Sequence, residues 1–250
     1  MLSRTGTQTL VWQFDQHVSA AGWVDDHRLL IASETALFLF NLKTGTQEGL
    51  TPLEADMPHT RSNDGRADPW GGFWIGTMGK QAQSGAGSIY RYFQGTLTRL
   101  YSDITISNAI CFSPDRTCAY YTDTPTRVIM RQPLDDQGWP KGAATPFVDL
   151  RDDGLNPDGA VVDAHGYVWN AQWGAAQLSR YTPQGALDMR IQLPTRQPSC
   201  PAFGGTDLKT LFCTSATENL DGASNMDGTV QSVQLSIQGQ AEHQVILDPS

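Results

Sequence analysis

Three oxygen-bearing side chains, Asn63, Asn108 and Asp158, stand five to seven residues ahead of the aspartates Asp68, Asp115 and Asp163. Amide and carboxylate oxygens are hard donors, suited to calcium, magnesium or manganese and less naturally to zinc. A basic neighbour, Arg61, precedes Asn63 by two residues in the stretch RSNDG. Together these groups could hold a cation and a neutral small ligand. Taken singly, Asn-Asp-Gly and Pro-Asp-Gly read as turns, because Asx side chains bond their own backbone and Gly tolerates positive φ. Their recurrence at matching places favours a shared polar site.

The elements that must position them are strands. Helical periodicity is hard to find, and short runs of β-branched and aromatic residues recur between Gly, Asp and Pro clusters, so the chain reads as all-β. Asp25, Asp68, Asp115, Asp163 and Asp207 open five similar units and lie 43, 47, 48 and 44 residues apart. That interval is the mark of a β-propeller, whose blades are four-stranded sheets arranged in a ring. A two-sheet sandwich would give no reason for it. The stretches ISNAICFSPD, NPDGAVVDAHG and SCPAFGGTD read as innermost strands, which would line a central channel. Asn63, Asn108 and Asp158 would then meet at one mouth. The equivalent places near Ala20 and Ala202 are apolar, which predicts polarity on one side of the channel only.

Bulk properties narrow the partners. A net charge of -9 and a pI near 4.8 argue against nucleic acid and acidic membranes. No apolar run approaches the roughly eighteen residues of a membrane span, and the amino end carries no signal-like core, so a cytoplasmic location is expected. The cysteines Cys111, Cys118, Cys200 and Cys213 lack CxxC spacing and read as buried thiols. His17, His27, His59 and His243 read as surface or loop residues, and His165 as part of a turn. Trp70, Phe73, Trp74, Trp169 and Trp173 read mainly as blade packing, with sugar stacking by Trp173 as the weaker alternative. Asp64 and Asp123 read as turn or cross-blade hydrogen-bonding groups. No GxSxG elbow is present, which removes serine-based covalent catalysis.

Four ordered blocks, RSNDGRADPWGGFWIGTM, ITISNAICFSPDRTCAYYTDT, GLNPDGAVVDAHGYVWNAQWGAAQLSRYTPQG and CPAFGGTDLKTLFCTSA, resemble the SMP-30/gluconolactonase/luciferin-regenerating family from about Val18 to about Ala216. The resemblance implies a six-bladed propeller that hydrolyses a sugar lactone with one divalent ion, calcium foremost and zinc, magnesium or manganese as alternatives. It makes Asn108 and Asp158 metal ligands, Asp158 also the catalytic base, and Arg61 and Asn63 substrate-binding residues. The expected reaction is metal-dependent conversion of an aldonolactone to an aldonic acid. The alternative is a noncatalytic propeller binding a sugar acid or a protein. The family's GExPxW block, with its acidic ligand, does not occur. The expectation is therefore one domain over residues 1–250, with 18–250 forming about five blades and 1–17 a remnant strand of a lost blade. Glu34 is the nearest carboxylate to the missing ligand and is expected to point elsewhere. The edges of an unfinished ring could pair with another chain, which leaves the oligomeric state open.

Overall fold

The repeating aspartates turn out to be turn-builders. Each of Asp25, Asp68, Asp115, Asp163 and Asp207 accepts at least one backbone N–H from two to four residues further on, as Asp68 does from Trp70 and Gly72, both at 2.9 Å. A carboxylate that replaces a missing backbone acceptor fixes a tight reversal. In every unit that reversal joins the first strand to the second.

In the computed structural model, residues 2–5 and 8–247 are described. Strands β1 (Leu2–Thr5) and β2 (Gln8–Val11) pair as a hairpin, where the sequence suggested a single strand. The first blade is β3 (Val18–Trp23), β4 (Arg28–Ser33), β5 (Ala36–Asn41) and β6 (Gln47–Pro52). The second is β7 (Thr60–Ala67), β8 (Phe73–Gly79), β9 (Gly87–Phe93) and β10 (Thr96–Ile104). The third is β11 (Ser107–Phe112), β12 (Cys118–Asp123), β13 (Val128–Pro133) and β14 (Thr145–Asp149). The fourth is β15 (Asn156–Val162), β16 (Val168–Trp173), β17 (Gln177–Tyr181) and β18 (Leu187–Gln192). The fifth has three strands, β19 (Pro198–Gly204), β20 (Thr210–Ser215) and β21 (Gln231–Gln234). Within each blade the sheet order is the chain order, and all pairs are antiparallel. The structure is a β-propeller of five blades.

In the first four blades both faces of the second strand are buried, so its alternating side chains pack to either side, whereas β20 of the fifth blade leaves the Phe212 face exposed. In β8, Phe73 and Ile75 pack on the first blade and Trp74 on the third. In β16, Val168 packs towards the third blade and Trp169 towards the fifth. Trp74 meets Phe112 edge-on at 5.4 Å, and Trp169 meets Phe203 in the same way at 6.0 Å. Each fully buried side chain of this kind contributes roughly 1.5–3 kcal/mol. Among the described residues no such cluster joins the fifth blade to the first. The free face of the first blade is instead capped by Trp12 and Phe14 against Phe38 and Phe40.

Residues 239–247 cross the far end of the channel as a strap. Gly239 bridges to Asp163 in the fourth blade, Gln240 Nε2 donates to the Phe112 carbonyl in the third, and Glu242 pairs with Arg66 in the second. Val245 N donates to the Trp23 carbonyl at 2.9 Å and its side chain enters the core between the first two blades. Val245 is 1% exposed, whereas Val230 is 59% exposed. Val245→Ala is therefore expected to lower stability by about 1–3 kcal/mol in urea unfolding, and Val230→Ala by no more than about 0.5 kcal/mol. Equal losses would show that the strap does not pack in solution.

Candidate functional site

All five innermost strands lose register at the same level. The shifts fall between Val18 and Ala20, Ser62 and Gly65, Asn108 and Cys111, Pro157 and Ala160, and Pro198 and Pro201. A bulge bends its strand and re-aims the side chains within it. Here the re-aimed side chains face the axis. Asn63, Asn108 and Asp158 line an axial cavity of about 600 Å³. They also line an adjoining mouth of about 390 Å³, together with Arg61. The structure thus brings all four predicted residues to one place.

The tripeptides Asn63-Asp64-Gly65 and Pro157-Asp158-Gly159 are not turns; they lie within the inner strands β7 and β15. Their glycines answer to close approach. A Cβ on Gly159 would stand 2.7 Å from the Ser199 carbonyl oxygen of the next inner strand, and one on Gly65 would stand 2.8 Å from both the Trp74 carbonyl oxygen and the Ile75 side chain. The channel wall predicted to be apolar is also partly polar. Ser19 and Ser199 line it beside Ala20 and Ala202, and Ser19 Oγ donates to Ser62 Oγ at 2.7 Å.

A chain of hydrogen bonds sets the orientation of the amides. Thr124 Oγ1 donates to the Pro157 carbonyl at 2.8 Å, so it can only accept from Asn108 Nδ2, at 2.9 Å. That fixes Asn108 Oδ1 on the other side, where Asn63 Nδ2 reaches it at 3.2 Å. Asn63 Nδ2 also donates to the Ser107 carbonyl at 2.8 Å, and Asn63 Oδ1 accepts from Arg61 Nη1 at 2.9 Å. Asn63 is therefore largely committed to holding Arg61 and Asn108.

The charges are unevenly compensated. Burial lowers the proton affinity of Arg61, and Glu218, Glu34 and Asp158 support its charge, in that order. Burial, and secondarily the nearby Asp64, push the Asp158 carboxyl well above the ordinary carboxylate range, while the Gly159 N–H and Arg61 oppose the rise. A carboxylate in this position is relieved by an added cation. Asp158 and the Asn108 Oδ1 atom supply hard oxygens for one, although among the described residues no three His, Cys, Asp or Glu side chains gather around a single point. A divalent ion fits these two donors if water or substrate oxygens complete its shell.

Four cavity residues lie outside the expected site. Asp64 makes the cross-blade bond expected of it, its Oδ2 accepting the Ile110 N–H of the third blade at 2.8 Å, and it also lines the channel. Trp173, read mainly as packing, borders both the axial cavity and the mouth. His243, expected at the surface or in a loop, lies in the irregular strap and lines the far end of the channel. Glu218 borders both cavities and had no local signal, because a long loop brings it there. Glu34 does not line either cavity, but it reaches the mouth's rim, where Lys80 Nζ lies 2.6 Å away and His17 Nδ1 also contacts it.

The chain is similar to proteins already known. The SMP-30/gluconolactonase/LRE-like region matches residues 1–217. A putative sugar lactone lactonase of Rhizobium meliloti (strain 1021) is 44% identical over 206 residues, 80% of this chain and 68% of that protein. A 6-deoxy-6-sulfogluconolactonase of Pseudomonas putida is 34% identical over 235 residues, 92% of this chain and 81% of the other. The crystal structure of a calcium-binding protein, regucalcin, from Agrobacterium tumefaciens strain C58 superposes with a TM-score of 0.93 at 41% identity, covering 96% of this chain and 83% of that one. Among the described residues no helix is long and apolar enough to cross a membrane.

The rim makes a pH-dependent prediction. Lys80, and then His17, hold the Glu34 carboxyl down from 4.5 to about 2. A depressed carboxyl stabilises the fold above its unfolded value and loses that contribution as it protonates. The rim contact is therefore complete above pH 4.5 and is lost as pH falls towards about 2. Side-chain carboxyl NMR should show Glu34 titrating near the lower value, and Lys80→Met should return it towards the upper one. An unchanged midpoint in that variant would mean the pair does not form in solution.

Proposed function

Because the chain belongs to the SMP-30/gluconolactonase/LRE-like family, we propose that it hydrolyses a sugar lactone, an aldonolactone, to the open hydroxy acid, with Asp158 as general base. The observation that carries this reading is the meeting of Arg61, Asn63, Asn108 and Asp158 around one mouth. Relatives named as sugar lactonases support the reaction class. Asn108 Oδ1 and the Asp158 carboxylate would hold a divalent ion, with calcium as the first choice in view of the regucalcin neighbour and magnesium, manganese or zinc as alternatives. The chemistry such an ion supplies is Lewis acidity towards a carbonyl oxygen and a more acidic water.

The residues of the chain do the rest. Burial raises the proton affinity of Asp158 and a cation held there would lower it again, which would keep the carboxylate ionised and available as a base. Its carboxylate takes one proton from water as the water oxygen bonds to the lactone carbonyl carbon. The ring C–O bond then breaks, the proton passes to the departing ring oxygen, and the hydroxy acid is released. Arg61 donates to the lactone oxygens and supports the charge that develops there. Asn63 is a positioning residue, holding the Arg61 guanidinium with one amide atom and Asn108 with the other.

Asp158→Asn is expected to lower kcat/KM for lactone hydrolysis by about 10²–10⁴-fold. It should leave unfolding stability unchanged or raised, since it removes a poorly compensated buried charge. Asn108→Ala should raise the divalent-ion concentration needed for half-maximal activity. Both are read by acid release from gluconolactone, with and without added metal. Wild-type turnover in the first variant overturns the base, and unaltered metal dependence in the second overturns the ligand.

A further inference from the structure

The loop of residues 216–230 between β20 and β21 hangs over the mouth and carries Glu218 to its edge. It is well anchored. Asp227 accepts the N–H groups of Arg196 at 2.8 Å and Ser224 at 2.9 Å, and its Oδ2 takes the Arg196 guanidinium at 3.0 Å. Ser215 Oγ donates to the Thr229 carbonyl at 2.7 Å, and Ala216 N donates to the Gln197 carbonyl at 3.0 Å. A loop fixed at both ends presents a defined group to a ligand.

Resting on the lactonase reading above, we propose that Glu218 is a specificity-determining residue that makes the mouth select uncharged sugar lactones over those carrying a sulfonate, phosphate or carboxylate. The cations lining the mouth are Arg61 and Lys80, and its carboxylates are Asp158 and Glu218. Lys80 is already held by Glu34, at 2.6 Å. Arg61 lines the same mouth as Glu218, the carboxylate that supports its charge most, and spends its hydrogen bonds on the Ser62 carbonyl and Asn63 Oδ1. An ion bound by Asn108 and Asp158 would offset Asp158 and the neighbouring Asp64, and would leave Glu218 as the uncompensated carboxylate of the mouth. An anionic substituent entering here competes with Glu218 for Arg61, and like charges brought together at a recognition surface are strongly disfavoured. Sugar hydroxyls face no such conflict, because a hydroxyl donates to the carboxylate and accepts from the guanidinium. One relative is named for a sulfonated lactone, so substituent charge is a property on which this chain can differ from a protein of its own family.

The test compares kcat/KM for gluconolactone and for 6-phosphogluconolactone, with a divalent ion present, in the wild type and in Glu218→Gln. The wild type should prefer the uncharged lactone by about tenfold or more, and the variant should move that ratio towards the anion by a similar factor, mainly through KM for the anion. Asp227→Asn, which loosens the loop, should shift the ratio in the same direction by less. A wild type that takes the anion equally well, or a ratio unmoved in Glu218→Gln, overturns the proposal. If no lactone is hydrolysed, the hydrolase reading fails by itself. Calorimetric titration with gluconate and 6-phosphogluconate then decides the charge preference: tighter gluconate supports it, and equal or tighter 6-phosphogluconate overturns it.

Discussion

The bulge in each innermost strand is the constraint on which the rest of the site depends. A regular strand would alternate its side chains between the two neighbouring blades, and none would be aimed squarely at the axis. The extra residues break that alternation but leave backbone groups without ladder partners, and an unpaired buried group costs about as much as a lost hydrogen bond. Side chains fill the deficit. Asn170 Nδ2 donates to the carbonyls of Asp158 and Gly159, Arg66 donates to those of Ile110 and Ala160, Asp64 accepts the Ile110 N–H, and Thr214 Oγ1 accepts the Cys200 N–H. The polar interior of the channel therefore has two layers. One holds the bulges in place, and the other is presented by them.

This arrangement explains which parts of the sequence were legible. The aspartate period was readable because each aspartate acts locally, on N–H groups within four residues, and so leaves the same trace in every unit. The site residues were found through that period, since the bulge precedes the turn aspartate by a few residues in every unit. Local reasoning failed where a long-range contact decides the conformation. Asn-Asp-Gly and Pro-Asp-Gly have strong turn propensity, yet both lie extended in their strands, with β8 of the same blade pressed against Gly65 and the neighbouring inner strand β19 against Gly159. Glu218 left no pattern at all, because its place is set by Asp227 gripping Arg196, 31 residues away. The strap was equally silent: its residues form no long strand and are recognised only by the blades they cross.

Charge placement follows a consistent rule away from the mouth. Arg91 and Asp68, both fully buried, meet at 2.7 Å, with the guanidinium also lying over Phe93 and Trp139. Arg180 and Asp163 repeat the device two blades on, over Tyr167 and Trp169. Both aspartates also cap their turns, so one carboxylate serves the reversal and the ion pair together. At the far end of the channel Arg66 meets Glu242 of the strap. A buried charge left alone costs several kcal/mol, and these pairings avoid that penalty.

Asp158 departs from this rule. It borders the axial cavity and the mouth, is raised by burial and by Asp64, and receives from the chain only the Gly159 N–H and the more distant field of Arg61. The same fold pairs Asp68, Asp163 and Asp227 with arginines at hydrogen-bond distance, whereas Asp64 and Asp158, neighbours in the channel, have no such partner. Two poorly compensated carboxyls in an otherwise compensated interior are what the proposed cation site and base require. The strap strengthens this inference. By crossing the far end of the channel with Glu242 and His243, beside Arg66, it leaves the mouth beside Asp158 as the approach. The proposed base, its cation donors and the Arg61 and Glu218 side chains then share one mouth.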